Sequence, residues 1–138
     1  MAKKVLIISG SKSDDVFVNQ AIDLFEEWEI NYEYVVLSAH RNLKELVNFI
    51  ENLDNDQYCA IITVAGLSAA LPGVVASLTN LPVIGVPINV GPLNGVDALL
   101  SMIQMPTGVP VATMGIGNSG VKNAAYFVKR LIEMEGEK

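Results

Sequence analysis

Strand-length apolar runs alternate with helical patterns along the whole chain, and this alternation limits the fold more than any other feature. Val5-Leu6-Ile7-Ile8 is apolar at consecutive positions and rich in β-branched residues, as a strand covered on both faces is. Ala21, Ile22, Leu24, Phe25 and Trp28 then recur at helical spacing and predict a helix over about 14–29. Tyr34-Val35-Val36-Leu37 reads as the second strand, and Leu43, Leu46, Val47 and Ile50 mark the second helix. Cys59 to Val64 is the third strand and Leu71 to Leu78 a short helix with Pro72 in its first turn. Val83 to Val86 is the fourth strand, and Val96, Leu99, Leu100 and Ile103 mark a further helix. Val109 to Met114 reads as the fifth strand, and Ala124 to Ile132 as the closing helix.

Such an order predicts an α/β protein of three layers, a parallel sheet with helices on both faces and right-handed crossovers. The expected architecture is flavodoxin-like (Rossmann-like): five parallel strands in the order 2-1-3-4-5, with ligands outside the carboxyl ends of the strands. At 138 residues the chain is expected to form one domain over 1–138.

Composition narrows the class. The chain is 51% hydrophobic and only 17% charged, where a typical share of charge is about 25%, so it is not a disordered chain. The shortage of charge predicts that some apolar surface is covered between subunits. A formal net charge of −6 disfavours a general nucleic-acid binder, which needs a basic face. A single cysteine, Cys59, excludes an internal disulfide, and a single histidine, His40, excludes every two-histidine metal site. Cys59 lies within a strand run and is expected to be an inert core residue. Ala2-Lys3-Lys4 leads into an apolar run too short to span a membrane, so a soluble cytoplasmic protein is expected.

Small and polar residues collect after the strands. Ser9-Gly10-Ser11-Lys12-Ser13-Asp14-Asp15 follows the first. Its amides and hydroxyls suit an anion at a helix N-terminus, with Ser11 and Ser13 as donors and Asp14 as an acceptor for ribose hydroxyls. The same residues also read as a plain cap, with Ser13 or Asp14 at the N-cap. No Gly-Lys-Ser/Thr closes this loop, so it is not a Walker loop. After the second strand, Ser38-Ala39-His40-Arg41 joins a side chain suited to proton transfer near neutral pH to a fork of donors for phosphate or carboxylate. A surface cap followed by a solvated arginine is the alternative. The third loop, Ala65 to Gly73, is nearly all small and apolar and suits either close packing or binding through backbone amides. Asn118 is expected to cap the last helix. A receiver-type signalling domain shares the sheet order but needs an aspartate ending the third strand, and Thr63-Val64-Ala65-Gly66 has none.

Taken together, Gly10-Ser11-Lys12-Ser13-Asp14, Ser38-Ala39-His40-Arg41, Leu71-Pro72-Gly73 and Gln104-Met105-Pro106 resemble the PurE family of purine biosynthesis. Gly85-Val86-Pro87 and Gly95-Val96-Asp97 fit the same pattern, and the resemblance runs from about Lys4 to Leu131. It implies an N5-carboxyaminoimidazole ribonucleotide mutase, which moves a carboxylate from N5 to C4 by decarboxylation and recarboxylation. The alternatives it leaves are a direct carboxylase of aminoimidazole ribonucleotide using CO2, and a weakened homologue that binds nucleotide. No metal, biotin or ATP is implied, and the implied assembly is a homo-octamer. By the same resemblance His40 is the general acid and base. Ser11, Ser13, Asp14, Ser38 and Arg41 hold the ribonucleotide, and Ala65, Gly66 and Leu71 line the pocket that retains CO2. Family members usually carry a second histidine before Leu-Pro-Gly, where this chain has Ala70. Many also extend beyond the last helix, so an end at Lys138 implies a different periphery to the assembly.

Overall fold

A computed structural model describes residues 2–136. Five strands form one parallel sheet: β1 (Lys4–Ser9), β2 (Tyr32–Val36), β3 (Tyr58–Ala65), β4 (Val83–Pro87) and β5 (Ala112–Thr113), in the order β2-β1-β3-β4-β5. Between and after them run α1 (Asp15–Glu27), α2 (Leu43–Glu51), α3 (Leu71–Leu78), α4 (Val96–Ile103) and α5 (Asn118–Gly136). The three-layer, flavodoxin-like arrangement expected from the alternation is the one present.

The period of two along each central strand sorts apolar side chains into two cores. Val5 and Ile7 of β1 and Ala60, Ile62 and Val64 of β3 face one side, where α1 and α5 supply Val18, Ala21, Phe25, Val121, Ala124 and Val128. Leu6, Ile8 and Ile61 face the other, against Leu46, Ile50, Leu71, Val75, Ala98 and Met102 of α2, α3 and α4. Because β1, β3 and β4 are covered on both faces, their centres are apolar at nearly consecutive positions rather than alternating, with Thr63 the buried polar exception. Gly85 in β4 is where α4 and the segment before β5 come closest. A Cβ there would stand 2.9 Å from both Met102 Sδ and Val111 Cγ1.

Cys59 sits at an irregularity. Lys4 pairs with Tyr58 and Val5 with Ala60, so Cys59 is an extra residue bulged out of the ladder. The bulge reverses the alternation. Tyr58 joins the α2/α3 core while Cys59 packs at the margin of the α1/α5 core, half-buried rather than central. Burial pushes its thiol up to about 11, so it holds little thiolate at neutral pH and the inert reading stands.

Three boundaries differ from the sequence reading. The fifth strand is two residues, not the run 109–114. Pro110 has no N–H to give to a ladder, which shortens an edge strand to the residues beyond it. α5 begins at Asn118, six positions before the apolar pattern at Ala124 that announces it. Asn118 is therefore the first helical residue and not the cap, and its Oδ1 accepts a bond from Gln20 Nε2 at 2.7 Å, tying α5 to α1. β2 starts at Tyr32 and ends before Leu37, because Tyr32 and Glu33 already pair with Val5 and Leu6.

Candidate functional site

The loops that follow β1, β2 and β3 converge on a cleft of about 390 Å³ at the carboxyl edge of the sheet. Its wall includes Ser11, Ser13, Asp14, Ser38, His40, Arg41, Ala65, Gly66 and Leu71. The structure thus brings every site residue expected from the sequence to one place. The reason is topological: β1 and β3 are neighbours and the chain order reverses between them, so their outgoing loops part and leave a crevice.

The first loop is shaped by its own hydroxyls. Ser11 Oγ accepts from the backbone N–H of Ser13 at 3.2 Å and caps a single 3-10 turn over Lys12–Asp14, after which α1 begins. Ser11 and Ser13 hydroxyls also lie 2.8 Å apart. Ser11 therefore caps the 3-10 turn, and of the two caps expected for α1 it is Asp14, not Ser13, that holds the position. Asp14 occupies the N-cap of α1, but its side chain makes no capping bond. It is free to face the cleft. Asp14 as a residue is only 8% exposed, and the loss of water raises its pKa above the ordinary aspartate value, with a backbone bond from Ser11 opposing the rise and the charge of Asp15 adding to it. Beyond that one backbone bond the carboxylate has acceptor capacity to spare, which suits the donor hydroxyls of a ribose better than a phosphate.

The second loop is a serine turn. Ser38 Oγ accepts from the N–H groups of His40 at 3.2 Å and Arg41 at 3.1 Å, and the Asn42 N–H closes on the Ser38 carbonyl at 2.9 Å. These bonds hold the backbone and leave both side chains in the open, exposed at the cleft rim. Ser38 is an acceptor in both, so its own proton remains for a ligand.

The third loop supplies the apolar wall. Ala69 and Leu71 are buried, Ala65 ends β3, and Ala70 precedes α3, whose first turn carries Pro72. Leu67 was not singled out in the sequence, yet it is the most unusual residue of the cleft. It holds a left-handed backbone at φ 57° with its side chain half in solvent. Leucine reaches that region only at a cost of roughly 1–2 kcal/mol, which the surrounding packing must sustain. Gly91, itself at φ +81°, lies against the Leu67 side chain and leaves no space for a Cβ. Val90, from the segment after β4, completes the wall and was also missed, since nothing in an isolated valine marks it.

Chemically, the cleft holds one imidazole, one guanidinium, one buried carboxyl, four serine hydroxyls and an apolar pocket. It can clamp an anionic nucleotide, move a single proton and shelter a small apolar molecule. Among the described residues no cluster of three metal-ligating side chains exists.

A family model described as AIR carboxylase matches residues 4–138. The N5-carboxyaminoimidazole ribonucleotide mutase of Saccharolobus solfataricus is 47% identical over 129 residues, covering 94% of this chain and 80% of the relative. That of Escherichia coli is 41% identical over 129 residues, covering 94% and 76%. Among solved structures, Treponema denticola PurE superposes with a TM-score of 0.77 at 25% identity, covering 98% of this chain and 90% of the other.

Proposed function

Because the chain belongs to the AIR carboxylase family, we propose that it is an N5-carboxyaminoimidazole ribonucleotide mutase of de novo purine biosynthesis, working in the cleft around His40. The relatives similar over nearly the whole chain carry that name. The observation that carries the assignment to this cleft is the meeting of a lone imidazole, a guanidinium and a small apolar pocket at the sheet edge.

The ribonucleotide is held at its phosphate by Arg41 and the hydroxyls of Ser11 and Ser13, and at its ribose by Asp14, with Ser38 donating to the bound substrate. The His40 imidazolium gives its proton to N5 as the N–C bond of the carbamate breaks and CO2 leaves. The bonding pair stays on nitrogen. CO2 rests against Ala65, Gly66 and Leu71, where no side chain hydrates it. Carbon C4 then attacks CO2, and the now neutral His40 removes the C4 proton. One proton is lent and one recovered, so the sum is an isomerisation needing a single titrating group.

Ala70 presents only a methyl group where relatives with the Ala-His-Leu-Pro-Gly pattern have an imidazole. Alanine offers no donor there, so the transferred carboxylate lacks the contact that an imidazole would give it. The exposed stripe Val96, Leu100 and Ile103 on α4 supports assembly into a homo-oligomer, of which an octamer is the form expected. The described residues contain no helix long and apolar enough to cross a membrane. The test is a turnover assay of the purified protein with N5-carboxyaminoimidazole ribonucleotide and with aminoimidazole ribonucleotide, each with and without bicarbonate. Product from the first substrate without bicarbonate is expected. Product only from the second, and only with bicarbonate, would make the protein a direct carboxylase instead.

A further inference from the structure

Two aspartates stand side by side where the first loop enters α1, and a loop that receives a phosphate ester gains nothing from a second negative charge. The structure shows what happens to the second one. Tyr34, on β2, donates its phenol proton to Asp15 Oδ1 at 2.5 Å, and its oxygen lies 2.7 Å from Ser9 Oγ. Ser9 is fully buried at the end of β1, and its hydroxyl also reaches the Ser11 carbonyl at 3.1 Å. The same carbonyl accepts from the Asp14 N–H at 3.0 Å. Lys12 Nζ stands 3.9 Å from Asp15 Oδ2, too far and too exposed to hold the carboxylate by itself. Neither Tyr34 nor Asp15 lines the cleft; both lie behind the loop that does.

We infer that Tyr34 is a positioning residue for the first loop: its phenol proton holds the Asp15 carboxylate away from the anion site, and its oxygen accepts from the buried Ser9 hydroxyl, which anchors the ring beneath the loop. This rests on the assignment of the loop to the ribonucleotide phosphate. Burial and the bond to Asp15 both favour the neutral phenol, so Tyr34 stays a donor through the working pH range. Among the described residues the other bonded tyrosine hydroxyls each reach a single glutamate, Tyr32 to Glu26 and Tyr58 to Glu33, and Tyr34 alone connects two strands to a helix start beneath a binding loop.

The test is a cycle of Tyr34→Phe, Asp15→Asn and the double variant. Freed from the phenol, the Asp15 charge weakens phosphate binding, so Tyr34→Phe should raise KM for the ribonucleotide about tenfold while kcat stays within about twofold. Asp15→Asn keeps an acceptor for Tyr34 and removes the charge, so its KM should be no higher than that of the wild type. The double variant should recover most of what Tyr34→Phe loses, a rescue that a merely structural tyrosine would not show. An unchanged KM in Tyr34→Phe, or a double variant no better than it, overturns the inference. If Tyr34→Phe fails to fold, a tenfold rise in KM for Asp15→Asn alone overturns it and a KM at or below wild type supports it. The affinity for ribose 5-phosphate, measured by calorimetry across the same variants, separates this inference from the assignment of activity. Absence of turnover with the tenfold pattern intact removes the activity but leaves the positioning role. Turnover with a flat pattern does the reverse.

Discussion

His40→Asn is expected to lower kcat by about 10³-fold while KM for the ribonucleotide changes less than about threefold, because one side chain serves both proton transfers and each such transfer contributes roughly 10²–10⁴. Asparagine keeps a polar group of similar reach but does not titrate near neutral pH. The fold should not notice the change: the Ser38 turn holds the His40 backbone N–H, and the ring stands at the exposed rim. Steady-state kinetics with a thermal melt of the same sample checks this. A kcat within tenfold of the wild type would mean that another group, or solvent, carries the proton.

Phe25→Ala should cost about 3–5 kcal/mol of stability and lower the melting temperature by roughly 10–20 °C. Phe25 is fully buried on α1. It stacks on Tyr32 with ring centroids 6.4 Å apart and meets the edge of Trp28 at 6.3 Å. Tyr32 opens β2, so the ring clamps α1 to the edge of the sheet, and α1 begins where the first loop of the cleft ends. Truncation leaves a void that the parallel strands cannot close without breaking register. The variant should retain near-normal kcat well below its transition, since no atom of Phe25 lines the cleft. Denaturant and thermal unfolding read the loss; a change under about 1 kcal/mol would mean that α1 is not docked as described.

The architecture was legible because its strands are buried on both faces. Val5 to Ile8 is apolar at every position, and Ala60 to Val64 is interrupted only by Thr63, buried with its hydroxyl on the Ile84 carbonyl; that pattern disfavours a half-exposed antiparallel sheet. The polar site was legible for a related reason: in a chain with so little charge, Ser11, Asp14, His40 and Arg41 fall just past strand ends, and the fold sends those ends to one edge. What periodicity could not show were features set by backbone or by tertiary pairing. The extra residue at Cys59 exists only relative to β1. The left-handed Leu67 is imposed by its surroundings, since leucine itself opposes it. The first turn of α5, Asn118-Ser119-Gly120, carries no apolar signal, and Gly120 is required because the Gly115 carbonyl occupies the place of a Cβ. Tyr34 reads as one more strand residue in sequence, yet its hydroxyl reaches Ser9 and Asp15, from two other elements.

The most direct test of the central claim follows the carboxylate itself. N5-carboxyaminoimidazole ribonucleotide labelled with ¹³C in its carboxylate is turned over once, with enzyme in excess, in unlabelled bicarbonate. If CO2 is released and recaptured within the closed cleft beside His40, most of the label should appear on C4 of the product. Product carrying mainly unlabelled carbon, or no product at all, would contradict a carboxylate shift performed in this cleft.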